Sequence, residues 1–214
     1  MNILVIAAHP DDEVLGMGGT IRKHTKRGNK VHLCVVSEGA TAQYQNKKMV
    51  EVRRKACLKS CKILGISSLD FLEFPDMQLD GIPQLKINKQ LETIVRKIKP
   101  DIVYTTPQND LNKDHQIVFE STLVVTRPLS SKVKQILCYE IPNIMIKPFN
   151  PNLFENVSKE FSYKIMAFHA YKSEVERFPH PRSIESIESL AAQRGIQAGV
   201  KRAEAFELIR SIIY

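Results

Sequence analysis

The chain has 214 residues, of which 43% are hydrophobic and 25% charged, a balance that fits one globular domain, expected over 1–214, and excludes a disordered segment. No apolar run reaches the roughly 18 residues that a membrane helix needs. The opening MNILVIAA has no basic stretch before it and runs straight into acidic residues, so it reads as a strand rather than a secretion signal, and a cytoplasmic protein is expected. The net charge of +8 is dispersed, with Arg22, Lys23, Lys26 and Arg27 on one segment and Lys47, Lys48, Arg53, Arg54 and Lys55 on another. Without a dense basic tract or an aromatic-rich sheet, this suits a solvated face and a small anionic or nucleotide-linked substrate better than nucleic acid.

Taken in order, short β-rich runs alternate with longer amphipathic stretches. Strands are predicted over Asn2–Ala8, Lys30–Ser37, Leu69–Phe74, Asp101–Thr106 and Gln135–Ile141, with helices near 14–27, 47–64, 84–98 and 115–126 between them. Several strands are continuously apolar, as strands buried on both faces of a parallel sheet are. Gly28 and Gly65 close the first two helices. Cys34 and Cys138 fall inside apolar runs; Cys57 and Cys61, four apart on a helix with no second pair, fit core packing better than a metal. Ile141–Phe154, with three prolines and three asparagines, reads as a long loop, and Phe178–Ser183 as another. A helical tail is expected over Ile184–Tyr214. The pattern gives an α/β fold: a Rossmann-like, mostly parallel sheet flanked by helices, carrying an irregular, loop-rich and helical C-terminal part after a core over 1–141.

Ligands of such sheets bind at the carboxyl ends of the strands. Two polar segments sit there, His9–Glu13 after the first strand and Pro107–His115 after the fourth, and would meet on one rim. Adjacent carboxylates Asp11, Asp12 and Glu13 repel one another unless a cation compensates them. A helix cap explains the acidic residues but not His9. His9 and Asp12 are suitable ligands for a divalent metal, with Pro10 stiffening the segment and Gly16, Gly18 and Gly19 allowing close backbone approach to the site. A third ligand is needed, and His115 is the best placed. His180 lies in a loop that could reach the site; His24 and His32 sit away from the rim, and His169 reads as structural.

The run Ala8–Glu13 (AHPDDE) followed by a glycine-bearing segment resembles the N-terminal motif of the PIG-L/LmbE superfamily of zinc-dependent N-acetylglucosaminyl deacetylases. Arg53 ahead of Leu64-Gly65, the Pro75-Asp76 turn, Asp114-His115, and Arg194-Gly195 with Ala203–Phe206 also fall where relatives carry similar residues, so the similarity covers most of the chain. The resemblance, closest to bacterial glycan-type members, implies His9, Asp12 and His115 as ligands of Zn2+ or another divalent metal such as Fe2+. It implies Asp11 as the general base that activates metal-bound water and then protonates the leaving amine. Asp114 would orient an imidazole and could at the same time cap the helix that begins beside it. Arg53, Asp76 and Arg182 are candidate sugar or phosphate contacts.

Two departures qualify the match. Relatives carry His-Pro-Asp-His where this chain has Asn112-Lys113-Asp114-His115, so a histidine that would steady the oxyanion is replaced by Asn112, with His180 a candidate substitute. Ala40 stands where an acidic residue often follows the glycine after the second strand, with Glu38 ahead of that glycine instead. The expected activity is hydrolysis of an N-acetylated amino-sugar conjugate, with homo-oligomerisation open; the alternative is a non-catalytic member or one acting on another N-acyl substrate. A nucleotide-dependent transferase or dehydrogenase would need a G-x-G-x-x-G turn, and Gly16-Met17-Gly18-Gly19 lacks that spacing.

Overall fold

The computed structural model describes residues 1–42, 44, 48–142 and 145–213. Lys47 at the head of the second predicted helix, Asn143 and Ile144 in the predicted loop, and Tyr214 at the end of the tail lie outside the described residues. The chain runs β1 (Asn2–Ala7), α1 (Asp12–Lys26), β2 (Lys30–Ser37), α2 (Lys48–Leu64), β3 (Ser68–Phe74), α3 (Gln84–Ile98), β4 (Ile102–Thr105), α4 (Lys113–Val125), β5 (Gln135–Tyr139), β6 (Leu153–Asn156), α5 (Phe161–Phe168), α6 (Ile184–Ala198) and β7 (Ala203–Ser211).

One seven-stranded sheet has the order β3-β2-β1-β4-β5-β7-β6. The first five strands in that order are mutually parallel. Strand β1 explains its own continuous hydrophobicity: Ile3, Val5 and Ala7 face one core, Leu4, Ile6 and Ala8 the other. Helices α1, α2, α5 and α6 contribute to the first core and α3 and α4 to the second, so both faces of the strand are dry, as parallel sheets require. The four cysteines are buried and free, as packing residues are.

The C-terminal part differs from the sequence reading. Leu153–Asn156 is a strand where a loop is expected, and the helical tail stops at Ala198. Ala203–Ser211 then enters the sheet antiparallel to β5, with β6 antiparallel outside it. Gly199 supplies the break: at φ 67° its N–H caps α6, a left-handed ending that glycine takes at little cost. Ala203–Phe206 are all buried, and it is pairing with β5 rather than local preference that makes them a strand.

Helix α1 is bent at Met17 (φ −149°, ψ 27°). The bend leaves the N–H groups of Gly19 and Thr20 pointing at Glu204 of β7, which accepts both at 3.0 and 2.7 Å. Lys164 of α5 donates to the same carboxylate at 2.7 Å, and both side chains are buried. The glycines of α1 serve this docking rather than the catalytic rim, a correction to the sequence reading. A Cβ on Gly16 would lie 2.3 Å from the Tyr139 ring, and one on Gly19 2.8 Å from Val157.

Candidate metal centre and catalytic site

Strand order reverses direction at β1 and β4, the switch point where an open α/β sheet leaves a crevice beyond its strand ends. His9–Glu13 leaves β1 there and Asp110–His115 follows β4, so residues 106 apart in sequence touch. His9 Nδ1 lies 3.2 Å from His115 Nε2. Asp12 Oδ2 lies 3.6 Å from His9 Nδ1 and 3.5 Å from His115 Nε2. All three residues are buried.

The outer nitrogen of each imidazole meets a carboxylate. His9 Nε2 lies 3.0 Å from Asp114 Oδ2 and 3.3 Å from Asp76 Oδ1, and His115 Nδ1 lies 2.7 Å from Asp110 Oδ2. With the ring protons donated outward, two imidazole lone pairs and one carboxylate oxygen point at a common centre. That is unfavourable in a buried site unless a cation occupies it. Ligand atoms around a tetrahedral zinc at ~2.0–2.1 Å stand about 3.3 Å apart, so spacing and donor chemistry both fit such an ion.

Asp114 also accepts backbone N–H bonds from Met77 at 2.9 Å and Leu79 at 3.1 Å, which ties the loop after β3 to the imidazole. The meeting of His9, Asp76 and Asp114 is therefore a hydrogen-bonding shell behind His9. The N-cap of α4 is Asn112, whose side-chain oxygen accepts from Asp114 N at 2.9 Å. Asp114 is thereby free for the imidazole, and the cap that the sequence allowed it belongs to its neighbour.

The electrostatics follow from burial against partnership. Burial opposes charge on His9, but Asp114, Asp12 and Asp76 outweigh it and lift the imidazole to about 10. Asp12 moves the other way: burial alone would raise it, and the facing His115 and His9 hold it below the usual carboxylate range. Burial pushes Glu13 up to about 7 and raises Asp11 and Asp76 as well. Asp11 is fully buried, and neither carboxylate oxygen accepts a hydrogen bond among the described residues.

Two guanidinium groups approach Asp11. Arg53 Nη2 lies 3.1 Å and Arg182 Nη2 3.4 Å from its Oδ2. Arg53 is buried in α2 and donates to the carbonyls of Pro10, at 2.6 Å, and Gly39, joining the loops after β1 and β2. Gly39 is required there, at φ 64° with a built Cβ 2.5 Å from Pro10. Arg182 is partly exposed and donates to buried Glu174 at 2.8 Å. His180 is exposed and its Nδ1 accepts from the backbone N–H of Arg182 at 3.1 Å. It is thus held beside Arg182 rather than in the metal cluster. His24 and His32 bond Tyr104 and Ser68, away from the rim, and His169 is exposed.

Sequence reasoning missed Asp110, Tyr171 and Glu174. Asp110 had a usable signal, a carboxylate on the same rim segment as His115. Tyr171 and Glu174 had none, since their place beside the first motif comes from the path of the chain after α5.

This is an α/β enzyme architecture with a histidine and aspartate centre at the sheet's switch point. The PIG-L family model, described as GlcNAc-PI de-N-acetylase, matches residues 4–126, more than half the chain, and the chain belongs to that family. An "uncharacterized deacetylase", YaiS of Escherichia coli K12, is 29% identical over 180 residues, covering 80% of this chain and 90% of that protein. A probable N-acetyl-alpha-D-glucosaminyl L-malate deacetylase 2 of Bacillus cereus is 25% identical over 186 residues, covering 82% of this chain and 84% of that one. In fold, the chain is similar to the N,N'-diacetylchitobiose deacetylase of Pyrococcus horikoshii solved with its inhibitor MPG. The TM-score is 0.83 at 22% identity, covering 98% of this chain and 84% of that one.

Proposed function

We propose that this protein is a zinc-dependent deacetylase that hydrolyses the N-acetyl group of an amino sugar of N-acetylglucosamine type. The observation that carries the reading is the convergence of His9 Nδ1, Asp12 Oδ2 and His115 Nε2, together with the buried carboxylate of Asp11, which accepts no hydrogen bond among the described residues and is ion-paired with Arg53 and Arg182. The family and the named activities of the relatives supply the substrate class.

Zinc bound by those three residues would supply Lewis-acid polarisation of the amide carbonyl and acidify a water toward a pKa of ~7. Asp11 takes the proton of the attacking water and passes it to the departing amine nitrogen, leaving acetate and the free amino sugar. Asp114 and Asp110 hold the two imidazoles in the tautomer that presents a lone pair inward. Asn112 keeps its amide N–H donors after capping α4, and with the Arg182 guanidinium it replaces the missing histidine as a donor toward the developing oxyanion. Asp76, Arg182 and the neighbouring His180 contact the sugar. Arg53 acts from beneath, setting the Pro10 and Gly39 carbonyls and the charge beside Asp11.

Beside Pro10 a cavity of about 550 Å³ is lined also by Glu38, Thr41, Val50, Arg54, Phe71 and Glu73. Its size suits the group to which the sugar is attached. Residues 1–214 act as one catalytic unit. The protein is cytoplasmic in this reading; among the described residues no helix is long and apolar enough to cross a membrane.

The test is acetate release across a panel of N-acetylglucosamine conjugates, with metal analysis of the same sample. About one zinc per chain is expected, with activity lost to a chelator and restored by zinc. Acetate release that a chelator leaves untouched would overturn the metal reading, and no release across the panel would overturn the substrate reading.

A further inference from the structure

The N-cap position of a helix favours aspartate because its carboxylate accepts the free N–H groups of the first turn. Asp11 holds that position in α1 and makes no such bond. Its backbone is left-handed instead, at φ 117° and ψ −25°, a conformation costly for a residue with a Cβ and found where surrounding contacts enforce it. The enforcing contacts can be named. Glu13 Oε2 accepts the Asp11 N–H at 3.0 Å. Its other oxygen accepts the Tyr171 hydroxyl at 2.6 Å and lies 3.4 Å from Ser60 Oγ. Glu13, Ser60 and Tyr171 are all fully buried, so this carboxylate is held by three elements: its own helix, α2 and the segment after α5.

We propose that Glu13 is a positioning residue that holds Asp11 out of its capping conformation, so that the Asp11 carboxylate faces the reacting centre rather than its own helix. The arrangement is a reversed cap. Glu13 reaches back to the N–H of the cap residue, and the cap residue's side chain is released for chemistry. Without the Glu13 acceptor, the ordinary cap is the better use of an aspartate: Asp11 relaxes to negative φ and spends its oxygens on the N–H groups of the first turn. The inference rests on Asp11 being the general base.

The experiment combines kinetics with a structure, on the full-length zinc-loaded protein. Glu13→Ala is expected to lower kcat about 100-fold, the scale of a displaced catalytic group, with KM and bound zinc unchanged. Glu13→Gln, which keeps an acceptor for the Asp11 N–H, restores most of that loss. Glu13→Asp keeps the charge but loses the reach; it behaves like Glu13→Ala and replaces it should the alanine variant not fold. The crystal structure of the deficient variant is expected to place Asp11 at negative φ with its carboxylate on the α1 first turn. Parent kcat in Glu13→Ala and Glu13→Asp, or Asp11 still at positive φ, overturns the proposal. A parent enzyme that releases no acetate would count against the deacetylase reading alone, since the Asp11 backbone still decides this one.

Discussion

The parallel half of the sheet and the antiparallel pair added after β5 contribute to one site in different ways. The parallel half places its ligands by local geometry: His9 follows β1 and Asp12, three residues on, opens α1, while Asp110 follows β4, the neighbouring strand, and His115 lies in the first turn of α4. Among its described residues the later part brings no metal-ligating atom to the centre. It brings Tyr171, which donates to Glu13, and Arg182, which approaches Asp11 while paired with Glu174. It is attached by the buried Lys164–Glu204 pair inserted at the bend of α1. The first part thus decides whether the site can bind a metal, and the second how the base beside it is held.

The sharpest separation of these roles is Asp11→Asn. Activity is expected to fall by about 10²–10⁴, the usual worth of general acid–base catalysis, while zinc content stays at the parent level. Loss of the metal with the activity would merge two roles that the geometry keeps apart. Glu204→Ala comes next: it leaves the Lys164 ammonium buried and unpaired, and a loss of about 3–5 kcal/mol in stability is expected by chemical denaturation. Zinc added in excess should recover part of it, because binding favours the folded state. A loss no larger than that of a surface pair would mean that the antiparallel part does not depend on this contact.

Asp110→Ala removes the carboxylate behind His115 and should weaken zinc binding about 10–100-fold in a chelator competition; a smaller effect would leave orientation of His115 to its other contacts. The mildest test is pH. In the metal-free protein His9 is protonated up to about 10, its charge favoured by Asp114, Asp12 and Asp76 against burial. Zinc takes the unprotonated imidazole, so each ion bound displaces a proton and affinity is expected to rise about tenfold per pH unit. Proton release on zinc addition, measured in buffers of different ionisation enthalpy, checks the sign. Affinity that is flat in pH would place His9 neutral before the metal arrives.

Much of this was legible in the chain itself. Continuous apolar runs separated by amphipathic stretches identify five parallel strands, because burial on both faces leaves no alternation. His9–Glu13 announces itself by its density of charge directly after a buried strand. The tail from Ala203 was not legible. Its residues satisfy a helix period about as well as a strand period, and only the free edge of β5 decides between them. The glycines of α1 were misplaced for a related reason: their use depends on Tyr139 and Val157, more than a hundred residues away.

By itself the sequence pointed to His9 and Asp12 as a metal-ligating pair, since ligand types three residues apart are a local property, while the fold brought His115 to them across 106 residues. The resemblance, resting on the same residues, supplied the reaction. Tertiary structure alone decided how each of those residues is held. Asp110 faces His115, Asn112 rather than Asp114 caps α4, Glu174 joins Arg182 beside Asp11, and Glu13 keeps Asp11 from its cap. Each depends on a hydrogen bond whose direction is fixed by the backbone or by a distant element, and no spacing in the chain records that direction.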